Sequence, residues 1–445
     1  MPSPKNFLII TQVFSPDPAA VGQYFDEAAQ AIAGTGASVT VLTANRGYDN
    51  PDARFAAEEN RNGIRIRRLP FSSFGKASIP VRIFAQLSFL IQCILRGLFT
   101  PKLTDLLVST SPPMAAITAV IIGFFRPKLK VHYWVMDINP DQAVILGAFS
   151  PKHPLVLALD WLNRRMLKRA DTVIALDRFM AERMEAKLTH PEAELRRPIT
   201  IIPPWPMDDY LETVPHSENQ FRKEQGWDDK FVVMYSGNHS LVHPLDTILD
   251  AAETLKDDPR FIFAFIGGGK GKEIVDARVA QLNVERCSLN EESAATNNQQ
   301  PTTNNLISLP YQPLDQIRFS LSAADLHIVS LGNDMSGIVH PCKIYGALSI
   351  GRPVLTLGPK ESYLSDIIKK EVRSQKSEVS QETDRAIGYA IQHGDVAGAV
   401  AALTAAADQT QQERAAMDQR AQQIATEKFG REQLVQQFLD TILDD

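Results

Sequence analysis

Short β-rich runs alternate with helix-patterned stretches along this chain, in two series divided by one proline cluster. The first series reads as strands at residues 7–11, 38–43, 64–69, 106–110, 131–135, 172–176 and 199–202. A helix at residues 23–33, stopped by Gly34 and Gly36, follows the first strand. Residues 64–69, Ile-Arg-Ile-Arg-Arg-Leu, alternate like an edge strand. Strands repeatedly separated by helices predict βαβ units and a mostly parallel sheet.

Pro203-Pro204-Trp205-Pro206 breaks the pattern, and the polar stretch that follows to Asp229 reads as a linker. The second series has strands at 231–236, 261–266, 306–309, 326–330 and 353–357, with helices at 245–255, 317–323 and 342–350. Residues 287–305, rich in Asn, Gln, Ser and Thr, and residues 373–384 read as inserted loops, and residues 429–443 as an amphipathic terminal helix. A chain of 445 residues exceeds one ordinary core, so two domains of about 200 residues are expected. The divisions are residues 1–206 and 207–428, each a Rossmann-like α/β domain, with 429–445 returning to the first.

Composition excludes several classes. Hydrophobic residues make up 44% and charged residues 22%, ordinary for a globular protein, and the net charge of −6 argues against nucleic-acid binding. Three cysteines with no CxxC pair leave no disulfide framework or cysteine zinc site and suit a reducing, cytoplasmic compartment. The first apolar run is too short for a signal peptide, so the sequon at Asn238 is read as chance. Residues 79–99 are the most hydrophobic stretch, interrupted by Arg82, Gln86, Gln92 and Arg96. They read either as a helix packed on the core or as a helix at the inner membrane face, with Lys76, Arg82, Arg96 and Lys102 toward anionic lipid.

Among the motifs, Gly267-Gly-Gly-Lys-Gly-Lys272 fits neither GxGxxG nor a Walker A loop. It reads as a strand-to-helix turn, or as amides and lysines near a donor phosphate. No Asp-x-Asp or HExxH occurs, so no metal is expected, and any diphosphate ligand would have to be met by helix N-termini and side chains. Ser15-Pro-Asp-Pro-Ala-Ala-Val-Gly22 lies at the carboxyl edge of the first strand, where Gly22 is either part of a tight turn or an amide approaching an anion. Asp137 ends the strand of Tyr133-Trp-Val-Met-Asp137, as a turn former or as a carboxylate orienting a sugar hydroxyl or acceptor. Tyr235-Ser-Gly-Asn-His239 and His243 run from a strand toward a helix; Gly237 and Asn238 allow close backbone approach, and His239 and His243 can donate to a diphosphate. Ser336-Gly-Ile338 supplies loop amides, Pro341 suits a helix start, and Lys343 falls in the first helical turn. A cation there opposes the helix dipole, a cost that an anionic ligand reverses.

In these motifs the chain resembles the GT-B glycosyltransferases, specifically glycosyltransferase family 4. The resemblance rests on the Pro-Asp-Pro loop to Gly22, Ser109-Thr-Ser-Pro-Pro113, the strand end at Asp137, Tyr235-Ser-Gly-Asn-His239, Phe265-Ile-Gly-Gly-Gly269 and Pro341-Cys-Lys-Ile-Tyr-Gly-Ala-Leu-Ser-Ile-Gly-Arg-Pro-Val354. It is similar to the branch holding capsule, colanic-acid and O-antigen transferases. The resemblance implies two Rossmann-like domains facing across a cleft, and a retaining transfer of a hexose from a UDP- or GDP-sugar, without a metal. The donor is then held by the second domain and a glycan or polyprenyl-linked acceptor by the first, with peripheral membrane contact. Asp137, Lys343 and His243 are the expected catalytic residues. Donor contacts fall on Gly22, Gly237, Asn238, His239, Gly268 and Tyr311, and on Ser336, Gly337, Ile338 and Val339. Two family glutamates are replaced by Ile338 and Gly346, and a family histidine by Met136. A nucleotide-sugar epimerase or hydrolase, or a nucleotide-sugar binder without activity, are the alternative readings.

Overall fold

The computed structural model describes residues 5–17, 19–47, 52–72, 79–188, 198–206, 211–297, 305–373 and 387–444. The chain divides into two compact units. Unit 1 comprises Met1–Pro204, Gly337–His340 and Glu432–Asp445; unit 2 comprises Trp205–Ser336 and Pro341–Arg431.

Unit 1 is built on strands β1 (Asn6–Ile10), β2 (Ser38–Ala44), β3 (Glu58–Arg61), β4 (Ile64–Leu69), β5 (Asp105–Ser109), β6 (Lys130–Trp134), β7 (Thr172–Ala175) and β8 (Thr200–Ile201). Their order across the sheet is β3-β4-β2-β1-β5-β6-β7-β8. All pairs are parallel except β3 with β4. β4 is therefore not the edge strand its alternation suggested. The edge is β3, Glu-Glu-Asn-Arg, which carries no apolar residue to announce it. Glu58 and Glu59 of β3 meet Arg65, Arg67 and Arg68 of β4 instead.

Three early helices cover this sheet: α1 (Ala20–Gly34), α2 (Ile79–Phe99) and α3 (Ala116–Phe125). α2 lays Ala85, Phe89, Cys93 and Gly97 inward at every fourth residue, all buried. Gly97 lets α3 close up, since a Cβ there would stand 2.4 Å from Ile122 Cδ1. Lys76 and the side chain of Arg82 lie outside the described residues. No helix among the described residues is long and apolar enough to cross a membrane.

Unit 2 has strands β9 (Phe231–Ser236), β10 (Phe261–Ile266), β11 (Leu306–Leu309), β12 (Leu326–Ser330), β13 (Val354–Leu357) and β14 (Gly388–Ile391), all parallel, in the order β11-β10-β9-β12-β13-β14. β10 is apolar throughout and wholly buried, as a parallel strand covered on both faces requires.

One inserted loop needs correction. Residues 287–297 are helical, not a loop: the helix Lys272–Asn297 runs on through them. Their Glu and Ala favour helix, whereas the polar composition suggested a loop. The rest of that insertion, residues 298–304, and residues 374–384 of the other lie outside the described residues. The expected terminal helix is present as Arg431–Leu443, preceded by a further helix, Gln411–Phe429, and parted from it at Gly430. Thr410 and Glu413 close a capping box on Gln411–Phe429. Arg431–Leu443 sets Phe438 against the Trp134 ring at 4.7 Å, inside unit 1.

Candidate active site

In unit 2, the chain leaves β9 and β10 through two loops that brace each other. The Gly237 amide donates to the Ile266 carbonyl (2.9 Å), the His239 amide to Gly268 (2.7 Å) and the Gly271 amide to His239 (2.7 Å). Two glycines are required by this arrangement. Gly267 has φ +136°, and a Cβ on it would stand 2.0 Å from the Gly237 carbonyl oxygen. Gly269 has φ +108°, with the Asn238 side-chain oxygen in the same relation to it at 2.0 Å. Asn238 is held further by its carbonyl, which accepts from the Tyr235 hydroxyl at 2.8 Å. The glycine run is thus a turn whose composition answers to its neighbouring loop.

Lys343 opens the helix Lys343–Ser349, one residue later than expected, with Cys342 as N-cap. Its ammonium sits 5.1 Å from the Tyr235 ring centroid. Its stem fills the space over Gly237, where an added Cβ would come within 2.7 Å of Cε. Burial pushes the Lys343 ammonium down to about 8. Burial likewise pushes His239 down to about 4, with Lys272 adding to it, and holds His243 well below the usual histidine range, with Lys343 adding to that. Lys343, His239 and His243 therefore form one desolvated cluster at the carboxyl end of β9, in which Lys343 carries the charge and both histidines are neutral near pH 7. An anion there would offset the cost of burying the Lys343 ammonium.

The His239 ring is oriented: Nδ1 lies 3.0 Å from the Gly237 carbonyl, an acceptor, so Nδ1 carries the proton. Nε2 is buried and has no protein partner. It presents a lone pair, suited to a hydroxyl donor; the sequence reading had both histidines donating. Tyr311 is half exposed, its ring lying over Gly268, where a Cβ would come within 2.7 Å of it. The Ser336 hydroxyl donates weakly to the Glu361 carbonyl, at 3.4 Å.

The next residues, Gly337–His340, belong to unit 1. Gly337 (φ +72°) packs its backbone on Phe179, and the Ile338 carbonyl accepts from the Ile138 amide at 2.9 Å. Ile338 and Val339 are buried. His340 Nδ1 donates to Asp177 Oδ2 at 2.7 Å, and Asp177 Oδ1 caps the helix Arg178–Ala186 through the Met180 amide. Sequence reasoning missed this pair, although Asp177 stands one residue before a helix, where N-caps are sought.

Also in unit 1, Asp137 follows β6, its amide held by the Thr110 hydroxyl at 3.2 Å. It borders a small cavity lined by Tyr133, Val135, Asn163, Leu167, Met184 and Lys187, and burial pushes its carboxyl up to about 6. Lys187 is neutralised by Asp141 (2.7 Å) and Asp160 (2.8 Å). Gly22 lies in α1; its amide donates to the Ala19 carbonyl at 2.9 Å, and a Cβ would crowd Phe14 at 3.1 Å. At the two positions that lack the family glutamates, the Ile338 side chain is buried, while Gly346 has room beside it, with Leu211 3.8 Å from a notional Cβ.

The chain is similar to known glycosyltransferases. Residues 19–205 match the family described as glycosyl transferase 4-like domain. The chain is 26% identical to the probable glycosyltransferase WbjE of Pseudomonas aeruginosa over 289 residues, covering 61% of this chain and 63% of WbjE. It thus spans less than two thirds of that relative's length. It is 23% identical to WcaI of Escherichia coli, a putative colanic acid biosynthesis glycosyl transferase, over 76% of this chain and 79% of WcaI. Among solved structures, Anabaena HepE in complex with UDP and glucose superposes with a TM-score of 0.67 at 15% identity, over 99% of this chain and all of HepE. The architecture around this glycosyl transferase 4-like domain is therefore GT-B: two α/β units on parallel sheets.

Proposed function

We propose that the chain is a retaining glycosyltransferase that moves a hexose from a UDP- or GDP-sugar to a glycan or lipid-linked acceptor in surface-polysaccharide synthesis. The observation that carries this reading is the desolvated cluster of Lys343, His239 and His243 at the carboxyl end of β9. A fold shared with HepE, which has been seen with UDP and glucose, supports a nucleotide-sugar donor. The colanic-acid role in WcaI's name supports a polysaccharide product.

In the proposed reaction, an acceptor hydroxyl forms a bond to the anomeric carbon while the bond from that carbon to the diphosphate oxygen breaks. The hydroxyl proton leaves with the diphosphate, and the sugar keeps its anomeric configuration. Negative charge grows on the departing diphosphate, and the Lys343 ammonium, with no second cation crowding it once the histidines are neutral, is the group to hold it. The His239 Nε2 lone pair takes a sugar or ribose hydroxyl. Asp137, with its raised carboxyl, orients the acceptor or a sugar hydroxyl. The apolar Ile338 and Gly346 favour one second reading, a nucleotide-sugar binder without transfer, since no carboxylate stands at either place.

Transfer from a radiolabelled nucleotide sugar, with nucleotide binding followed by calorimetry, tests the proposal. Wild-type transfer that disappears in Lys343→Ala together with weakened UDP or GDP binding supports it. Binding without transfer to any acceptor moves the case to the second reading, and unchanged binding in Lys343→Ala removes the site assignment.

A further inference from the structure

In unit 2 the loop after β13 leads to the helix Tyr363–Arg373, and a cavity of about 170 Å3 opens between that helix and the carboxyl ends of β13 and β14. That is roughly ten times the volume one water requires. The cavity lies away from the boundary between β9 and β12, where the strand order reverses and an open parallel sheet holds its main ligand. None of the residues that line it belongs to the Lys343 cluster.

Its lining holds donors that the protein does not use. Ser362 and Ser365 bond each other across the helix start: the Ser365 amide donates to the Ser362 hydroxyl at 3.2 Å, and the Ser362 amide to the Ser365 hydroxyl at 3.0 Å. The Ser365 hydroxyl gives its own proton to the Lys360 and Ser362 carbonyls. The Ser362 hydroxyl differs. It belongs to a residue 1% exposed, and its proton has no acceptor among the described residues. The amide of Leu364, equally buried and second in the helix, has none either. Buried donors without acceptors are costly, and the first turn of a helix is where an anion gains from the dipole. Lys360 lines the cavity from its exposed side, while the acidic neighbours Glu361 and Asp366 do not line it. A hydroxyl, an amide and an ammonium match the three acceptor oxygens of a phosphate group, and the remaining volume admits a small organic part beside it.

The same turn is tied to the candidate active site. The Tyr363 hydroxyl donates to the Pro341 carbonyl at 2.6 Å, two residues before Lys343, and the Ser336 hydroxyl to the Glu361 carbonyl at 3.4 Å. A ligand that orders this turn therefore also orders the start of the Lys343 helix. We propose that the cavity is a second ligand site, which takes a small phosphomonoester and tightens nucleotide binding at Lys343. The tightening rests on the proposed nucleotide site; the phosphomonoester site does not.

The test is calorimetry of the full chain with glucose 6-phosphate, inorganic phosphate and glucose. Glucose 6-phosphate is expected to bind, inorganic phosphate to bind more weakly because it leaves the cavity part-filled, and glucose not to bind. Lys360→Gln is expected to weaken glucose 6-phosphate binding about ten-fold or more, since a charge-assisted contact is lost. Ala390→Trp, which fills the cavity from an exposed position on β14, is expected to abolish it. Both side chains are exposed, and unchanged circular dichroism and melting confirm that the variants fold. Lys343→Ala is expected to keep glucose 6-phosphate binding while losing nucleotide, which separates the two sites. With glucose 6-phosphate present, UDP or GDP is expected to bind the wild type about five-fold more tightly, with no change for Ala390→Trp. No binding of either phosphate, or equal binding by the wild type and both cavity variants, overturns the site. Inorganic phosphate binding as tightly as the ester overturns the ligand class, and an unchanged nucleotide affinity overturns the coupling. If glucose 6-phosphate binds and no nucleotide does, the proposed function fails and the second site stands.

Discussion

His340 and Asp177, 163 residues apart in sequence, share a buried hydrogen bond of 2.7 Å. Asp177 spends one carboxylate oxygen on the Met180 amide and the other on this ring. His340 ends the short stretch Gly337–His340, whose Ile338 carbonyl is bonded to the Ile138 amide, one residue past Asp137. The pair thus fixes the segment that holds Gly337, Ile338 and Val339 against the ends of β6 and β7.

His340→Ala leaves a buried carboxylate oxygen without its donor. Its unfolding midpoint in urea should fall, corresponding to about 1–3 kcal/mol. Asp177→Asn keeps a capping oxygen for Met180 and replaces the carboxylate facing the ring with an amide, so it should cost less than Asp177→Ala, which also loses the cap, about 1 kcal/mol more.

Lys343 gives a prediction in pH. Its folded value, about 8, lies below the unfolded one, so the folded state binds fewer protons between the two. The cost of burying the charge is therefore fully present below pH 8 and is relieved as pH rises toward the unfolded value. Lys343→Met should raise the melting temperature at pH 7 and flatten its rise above pH 8. The same variant should bind UDP or GDP about ten- to a hundred-fold more weakly, because a charge-assisted contact is lost. Wild-type nucleotide affinity, followed by calorimetry, should decline above pH 8, and this decline should be absent in the variant.

For Asp137 the sign is the opposite. Its folded carboxyl, at about 6, lies above the unfolded value, so the folded state binds more protons between about 4 and 6. Stability contributed by the protonated form is present below the unfolded value and is lost as pH rises through 6. Asp137→Asn should match the wild type near pH 4 and melt higher at pH 7, by an amount on the order of 2 kcal/mol. Identical melting curves across that range would contradict the assigned environment.

Two neighbouring glycines should respond differently to alanine. Gly267→Ala drives a Cβ into the Gly237 carbonyl, backbone against backbone, at φ +136°. Gly237→Ala, at φ +124°, meets only the flexible stem of Lys343. The first should lower stability by more than about 3 kcal/mol, as strain at an unfavourable φ adds to a clash. The second should cost less in melting and more in nucleotide affinity, since Lys343 must move aside.

How far the sequence could be read depended on what each element had to bury. β9, β10 and β12 are largely apolar runs covered on both faces, and β11 is a short, half-buried run at the sheet edge; their bounds follow from composition alone. β3 escaped because its four residues are polar, and β14, Gly-Tyr-Ala-Ile, because it is short and starts on glycine. The helix Val396–Asp408 escaped because alanine does most of its inward packing, and alanine leaves a weak periodic signal; Gln411–Phe429 escaped because it buries only Met417, Ala421, Ile424, Ala425 and Phe429 within a long polar run. At the site, Lys343 could be found from a local conflict, a cation at a helix start. His340 with Asp177 could not, because no local pattern pairs residues so distant. The His239 tautomer was equally out of reach, since it is set by the carbonyl of Gly237, two residues back along a turn.

The bracing between the loops after β9 and β10 has a consequence for how this protein can change. Each loop supplies hydrogen-bond partners to the other, through Gly237 with Ile266, His239 with Gly268 and Gly271 with His239. A residue inserted into either one throws the other out of step, so their lengths can drift only together. Diversification over evolutionary time is then channelled away from this pair and toward surface loops whose lengths answer to no partner loop.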